Sequence, residues 1–192
     1  MSAVLNYSPF ANGEYKMSLI RKQPQLKPQD VVVAIRYSLN RHINIAFSKL
    51  ALDLKLSISE VHGAFKRAQL SGLINSENEY PSANRIALKE FLIHGLKFSF
   101  PAYTGGMTRG VLTGLSGSSI RSHFSETESL PFVWPDADGA DRGVSLLPLY
   151  PTLPSAAKRD PELHEILSLI DIIRIGAARE REIAESELRK RI

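Results

Sequence analysis

The chain has 192 residues and a mass of 21.3 kDa, enough for one ample hydrophobic core or one compact domain with a smaller appendage. Apolar residues make up 43% and charged residues 23%, an ordinary globular balance that excludes wholesale disorder. Cysteine is absent, which excludes disulfide scaffolds, thiolate zinc sites, iron–sulfur ligation and cysteine nucleophiles together.

No apolar run approaches the roughly 20 residues of a membrane helix. The N-terminus MSAVLNYSPFANGEYK has no apolar stretch after a basic start, so it does not read as a signal peptide. The expectation is a cytoplasmic protein with no membrane partner.

The net charge of +4 is small, but it is unevenly placed. Residues 16–97 hold thirteen basic and six acidic side chains, a local net of +7, whereas residues 98–192 net −2. The asymmetry points to a polyanion-facing module joined to a neutral one.

Residues 1–23 are polar and aperiodic, with Asn6, Ser8, Pro9, Asn12 and Gly13, and read as a flexible arm. Met17 is a candidate alternative start. A first helix is expected over roughly 28–40, because Pro28 suits a first turn and Val31, Val32, Ala34, Ile35 and Leu39 supply a buried face. Asn44-Ile45 suggests a very short strand. A second helix over roughly 47–55 turns Leu50, Ala51 and Leu54 inward.

The third helix has the clearest start signal in the chain. Ser57-Ile58-Ser59-Glu60 fits a capping box, in which the Ser57 hydroxyl accepts from the Glu60 N–H and the Glu60 carboxylate reaches back. Val61, Ala64, Phe65 and Ala68 recur at helical spacing, and Gly72 sits where a positive φ ends the helix. Leu73-Ile74 starts a strand and residues 75–79 form a turn. A fourth helix is expected over roughly 83–95. The alternation Leu96-Lys97-Phe98-Ser99-Phe100 before Pro101 predicts a strand. Residues 101–160 are rich in Gly, Ser and Pro and read as irregular. Asp160-Pro161 caps a long last helix running to about 190, with a possible break at Gly176.

Helix, helix, turn, capped helix, Gly and strand–turn together form a winged helix-turn-helix pattern. The 25 residues LALDLKLSISEVHGAFKRAQLSGLI, Leu50 to Ile74, resemble winged-helix bacterial transcription regulators of the MarR-like kind. The second half is unlike that family's dimerisation helices. The resemblance implies an α+β, mainly helical protein: a winged helix-turn-helix over 24–100, then an irregular region over 101–160 and a C-terminal helix over 161–192. It implies binding of double-stranded DNA by helix 58–71 in the major groove, and regulation of transcription, as a repressor.

With Val61 and Phe65 buried, Ser59, His62, Gly63, Lys66 and Arg67 are left to project outward. Lys66 and Arg67 suit phosphates or guanine edges, and Ser59 and His62 suit base edges. Gly63 permits close approach, and the helix N-terminus at Ser57 suits a phosphate. The pattern departs from the family at three places. Lys55 stands where a glycine is usual, Ala46 has no capping oxygen, and Glu77 and Glu79 would repel phosphates, so the wing is short or adds little affinity.

Other motifs lack the parts their chemistry needs. The glycine runs at 105–110 and 114–119 lack the Gly-Lys-Ser/Thr ending of a phosphate loop. Residues 136–141 have glycine in the wrong place for a calcium loop. His42, His62, His94, His123 and His164 never fall at zinc-ligand spacing. No nucleophile-elbow pattern is present. No catalytic residue, metal or cofactor is therefore expected. Trp134, in LPFVWP, reads as an anchor for a long loop, with part of an effector pocket as the rival.

The last helix is apolar on two sides. Leu163, Ile166, Leu167, Ile170, Ile173 and Ala177 form one face, and Leu169, Ile172 and Ile175 a second. A homodimer interface and burial within one subunit explain this equally well. A homodimer suits DNA reading, because paired recognition helices meet half-sites about 34 Å apart. The rival function is a winged-helix protein-interaction or antitoxin-like module that does not read DNA.

Overall fold

A computed structural model describes residues 25–39, 44–76, 80–124 and 130–192. The expected arm, the acidic pair Glu77 and Glu79, and His42 lie outside the described residues. No described helix is long and apolar enough to cross a membrane. The architecture is α+β and mainly helical, with a two-stranded hairpin and a separate three-stranded sheet.

The second and third N-terminal helices follow the expected periodicity, and the first is buried on nearly every side. Helix α1 spans Pro28–Leu39 and buries Val31 to Ile35 without a break. Residues 44–46 are unpaired coil rather than the short strand expected, and α2 begins directly at Phe47–Leu54. Ala46 offers α2 no side-chain cap. Lys55 ends α2 in the left-handed region at φ 55°, ψ 40°, a conformation that costs a non-glycine residue about 1 kcal/mol.

Helix α3 spans Ile58–Leu70 behind a complete capping box. The Glu60 N–H donates to Ser57 Oγ at 3.1 Å, and the Ser57 N–H donates to a Glu60 carboxylate oxygen at 2.8 Å. Gly72, at φ +72°, turns the chain into β1 (Ile74–Asn75), which pairs antiparallel with β2 (Ser82–Ala83). The hairpin is only two residues deep on each strand.

Helix α4 (Arg85–Glu90) continues through a π turn at Phe91–Gly95 into α5 (Leu96–Ser99). The strand expected at 96–100 is thus a helix end. Five alternating residues fit one helical turn as well as a strand, and the hydrogen-bonded helix before them settles the matter, with the Phe100 N–H bonded to the Leu96 carbonyl at 2.8 Å.

The region expected to be irregular contains a closed three-stranded sheet. Strand β3 (Thr104–Thr113) pairs antiparallel with β5 (Asp141–Leu146) through its first part and with β4 (Phe132–Pro135) through its last, and β4 and β5 pair parallel. Gly110 belongs to both β3 ladders. A Cβ there would lie 2.0 Å from the Trp134 carbonyl oxygen, so only glycine allows the closure. Two 3-10 turns follow β3 at Gly114–Gly117 and Ser119–His123.

Short helix α6 (Leu153–Ala157) leads to α7 (Pro161–Ile175), capped by the Asp160 carboxylate accepting from the Leu163 N–H at 3.0 Å. The chain breaks at Gly176 as the sequence suggests, and α8 spans Ala178–Arg191. One buried cluster runs from Val31 to Ile192, so both halves of the chain share a core.

Candidate nucleic-acid interface

The site begins with the orientation of α3. Val61, Ala64 and Ala68 are fully buried, and Phe65 packs between Tyr37 and Phe47 at centroid distances of 5.6 and 5.3 Å. At about 100° per residue, this anchoring directs Ser59, His62, Gly63, Lys66 and Leu70 to the opposite side. Ser59, His62, Lys66 and Leu70 are exposed there, and Gly63 is half-buried. Lys66 has no ion pair or side-chain hydrogen bond with any described residue.

Two of the expected contact residues are occupied within the chain. Arg67 turns back toward α1, where its Nε and Nη2 donate to the Asp30 carboxylate at 2.8 and 2.7 Å. Asp30 is completely buried and also accepts from the Lys27 N–H at 2.8 Å. The Asp30 hydrogen bonds hold the Arg67 guanidinium even more firmly protonated than usual. This forked pair pins α3 to α1. Its sequence signal is Asp30 itself, an acid beginning a buried valine run, because a fully buried carboxylate requires a partner.

Ser57 is likewise engaged in the capping box. Its hydrogen bonds hold the Glu60 carboxyl below its ordinary range, so a negative charge already lies across the α3 N-terminus. That charge opposes the phosphate seat expected at Ser57. His62 is exposed but stacks edge-on to Phe47 at 5.6 Å, which orients the ring. Gly63 faces the Arg67 guanidinium, and a Cβ there would lie 3.1 Å from Nη1. Gln69 is tied to the hairpin through Ser76 Oγ.

The turn between α2 and α3 is held from the second half of the chain. Tyr150 donates its hydroxyl to the Leu54 carbonyl at 3.0 Å, and Thr152 donates to the Lys55 carbonyl at 2.9 Å. Both carbonyls close α2 and have no helical partner ahead of them. Arg36 links α1 to Asp53 at 3.5 Å and to Asp160 at 3.4 Å. Lys49 pairs with Asp53 at 2.9 Å. Three of the thirteen basic residues of 16–97, Arg36, Lys49 and Arg67, are therefore paired within the fold.

Trp134 is an anchor, as its sequence setting suggests. It is 1% exposed, and its indole N–H donates to Asp171 at 2.7 Å. Thr113 and Arg174 also donate to Asp171, each at 2.7 Å, which ties β3 and β4 to α7. Helix α7 buries residues of both its apolar faces, Ile166 and Ile173 on one, Leu169 and Ile172 on the other. Burial within one subunit thus accounts for its two-sided pattern. Comparisons with family models, curated proteins and solved structures each return no match to this chain.

Proposed function

We propose that this chain is a sequence-specific, double-stranded-DNA-binding transcription regulator of the winged helix-turn-helix type, acting as a repressor, with α3 in the major groove. The observation that carries this reading is the outer line of α3. Ser59, His62 and Lys66 are exposed on one line of a helix braced by α1, α2 and the following hairpin, with Gly63 half-buried beside Arg67. Hydroxyl, imidazole and ammonium groups on one helical line have the donor and acceptor chemistry that base edges and phosphates recognise. The hairpin is too short to contribute much of the affinity.

Arg67 belongs to the fold in this proposal, not to the DNA contact. Pairing of two recognition helices in a homodimer would need a face other than α7, whose apolar sides are buried in one subunit.

The test is binding of the full chain to a randomised duplex pool, followed by salt titration on the selected site. Ser59→Ala and His62→Ala should each cost about tenfold or more on the selected site and flatten base preference, as loss of a base contact does. Lys66→Ala should reduce the salt slope by about 1. Absence of any duplex binding at low salt would defeat the reading.

The rival is a protein-binding role for the same region. It is favoured by three exposed apolar side chains around the turn and α3: Leu52 at 61%, Ile58 at 57% and Leu70 at 72% exposure. DNA-independent capture of a partner, lost in Leu70→Ser but retained in Lys66→Ala, would support it.

A further inference from the structure

The closed sheet carries a pair of like charges that folding alone does not explain. Arg109 of β3 stands directly opposite Arg142 of β5. Side chains directly opposite in a ladder share one face, with Cβ atoms about 4.5–5.5 Å apart, and like charges there oppose pairing. Both arginines are exposed. Neither has an ion pair or a side-chain hydrogen bond with any described residue.

Two acidic residues close in the chain, Asp136 and Asp141, are placed away from this pair. Asp136 is bound to Lys158 at 2.9 Å and to the Asp138 N–H at 2.8 Å. Asp141 precedes Arg142 on the strand, so its side chain alternates to the other face. Asp138 lies in the turn before β5. Among the described residues, neither guanidinium has a counter-charge in an ion pair.

We propose that Arg109 and Arg142 together form a phosphate-binding clasp. Each guanidinium is a planar fork that matches the oxygens of a phosphate, and one anion between them cancels the repulsion that the ladder imposes. The phosphate has two possible sources, a free phosphate or phosphomonoester and the backbone of a duplex.

The surrounding contacts favour the backbone. The Arg109 carbonyl accepts from the Asp136 N–H at 3.2 Å, and Asp136 holds Lys158 just past the end of α6. Thr152, just before α6, holds the Lys55 carbonyl at the turn into α3. A five-residue helix spans about 7.5 Å. Helix α6 thus ties the strand that carries Arg109 to the turn into α3, and a duplex lying on α3 is taken as the source of the phosphate. The backbone assignment rests on the DNA-binding reading. The clasp does not.

The experiment uses the full chain, with Arg109→Ala/Arg142→Ala and Arg109→Glu as variants. Inorganic phosphate is titrated at constant ionic strength while Tm is followed, and a random duplex is titrated at several salt concentrations. Phosphate should raise the Tm of the wild type above its general salt effect, seen as the difference from the double variant. The double variant should also lose about 2 from the duplex salt slope. Arg109→Glu should raise Tm by about 1–3 °C without phosphate, because it replaces a cross-strand repulsion with an attraction, and should abolish the phosphate response.

Loss of both responses in the double variant supports the duplex backbone as the ligand. Loss of the phosphate response with an unchanged salt slope supports the clasp and overturns the backbone assignment. If wild type and double variant respond alike to phosphate and to duplex, the clasp is overturned. If the wild type binds no duplex, the DNA reading fails, and the phosphate titration still decides the clasp.

Discussion

Lys66 and Arg67 are neighbours in the sequence and opposites in the structure. A rotation of about 100° places one in solvent and the other against a buried carboxylate. Composition alone ranks both as DNA contacts. The residue that separates them is Asp30, 37 positions away, and no local pattern joins the two. Removing one partner of a buried pair typically costs 3–5 kcal/mol, because the other is left uncompensated. The Arg67 side chain is 24% exposed, so water can relieve part of that loss. Arg67→Ala should therefore destabilise the fold by about 2–3 kcal/mol. That would lower the urea midpoint by about 1 M or more, whereas Lys66→Ala should leave it in place. A double variant with Asp30→Asn should recover part of the loss, since the orphaned charge goes with it. An unchanged midpoint in Arg67→Ala would mean that the fork does not brace α3.

Elements were legible where one period dominated a run. Helices α2 and α3 each bury one stripe, and the Ser57–Glu60 cap marks the start of α3 to the residue, whereas α1 is buried on nearly every side. The closed sheet was not legible, because glycine occupies the positions where its strands cross and much of β3 faces water, so no apolar alternation develops. Its anchor was visible as Trp134, but its partners Thr113 and Asp171 lie in other elements. A similar long-range tie closes α2, where the Tyr150 hydroxyl satisfies the Leu54 carbonyl from 96 positions away. Tyr150→Phe should cost about 1–2 kcal/mol, since it leaves that buried carbonyl unpaired.

The same residue sets a pH dependence. Burial pushes the Tyr150 hydroxyl well above its ordinary value of 10, and burial also raises Tyr37. An unfolded tyrosine ionises near pH 10 while the folded one keeps its proton. The contribution is therefore complete below pH 10 and is lost as the pH rises beyond it. Urea midpoints between pH 9 and pH 11 should fall for the wild type and fall less steeply for Tyr150→Phe. Equal slopes would remove Tyr150 as the cause.

At the scale of the molecule, the division of charge into +7 and −2 describes the sequence better than it describes two bodies. Arg36 of α1 reaches Asp160 at the start of α7, and Arg189 of α8 reaches Glu90 of α4, so cations of each half meet anions of the other. The buried cluster also ignores the boundary near residue 100. Leu92, Ile93 and Leu96 belong to the first half, yet the core they join includes Leu163, Ile166 and Ile170 of α7. Helix α7 pairs its apolar faces inside the subunit for this reason, which a helical wheel cannot reveal because it does not say what lies opposite. One core implies one cooperative unfolding unit. Trp134 is the sole tryptophan and sits between β4 and α7, so its fluorescence reports the second half. Far-UV circular dichroism reports the helices of both. The two signals should trace one coincident urea transition. A fragment ending at residue 100 strips α7 from the π turn and α5, and removes Tyr150 and Thr152 from the end of α2. It should collapse without a cooperative transition and bind a hydrophobic dye. A fragment that unfolds sharply, or a full chain whose two probes separate, would instead establish that the N-terminal half folds by itself.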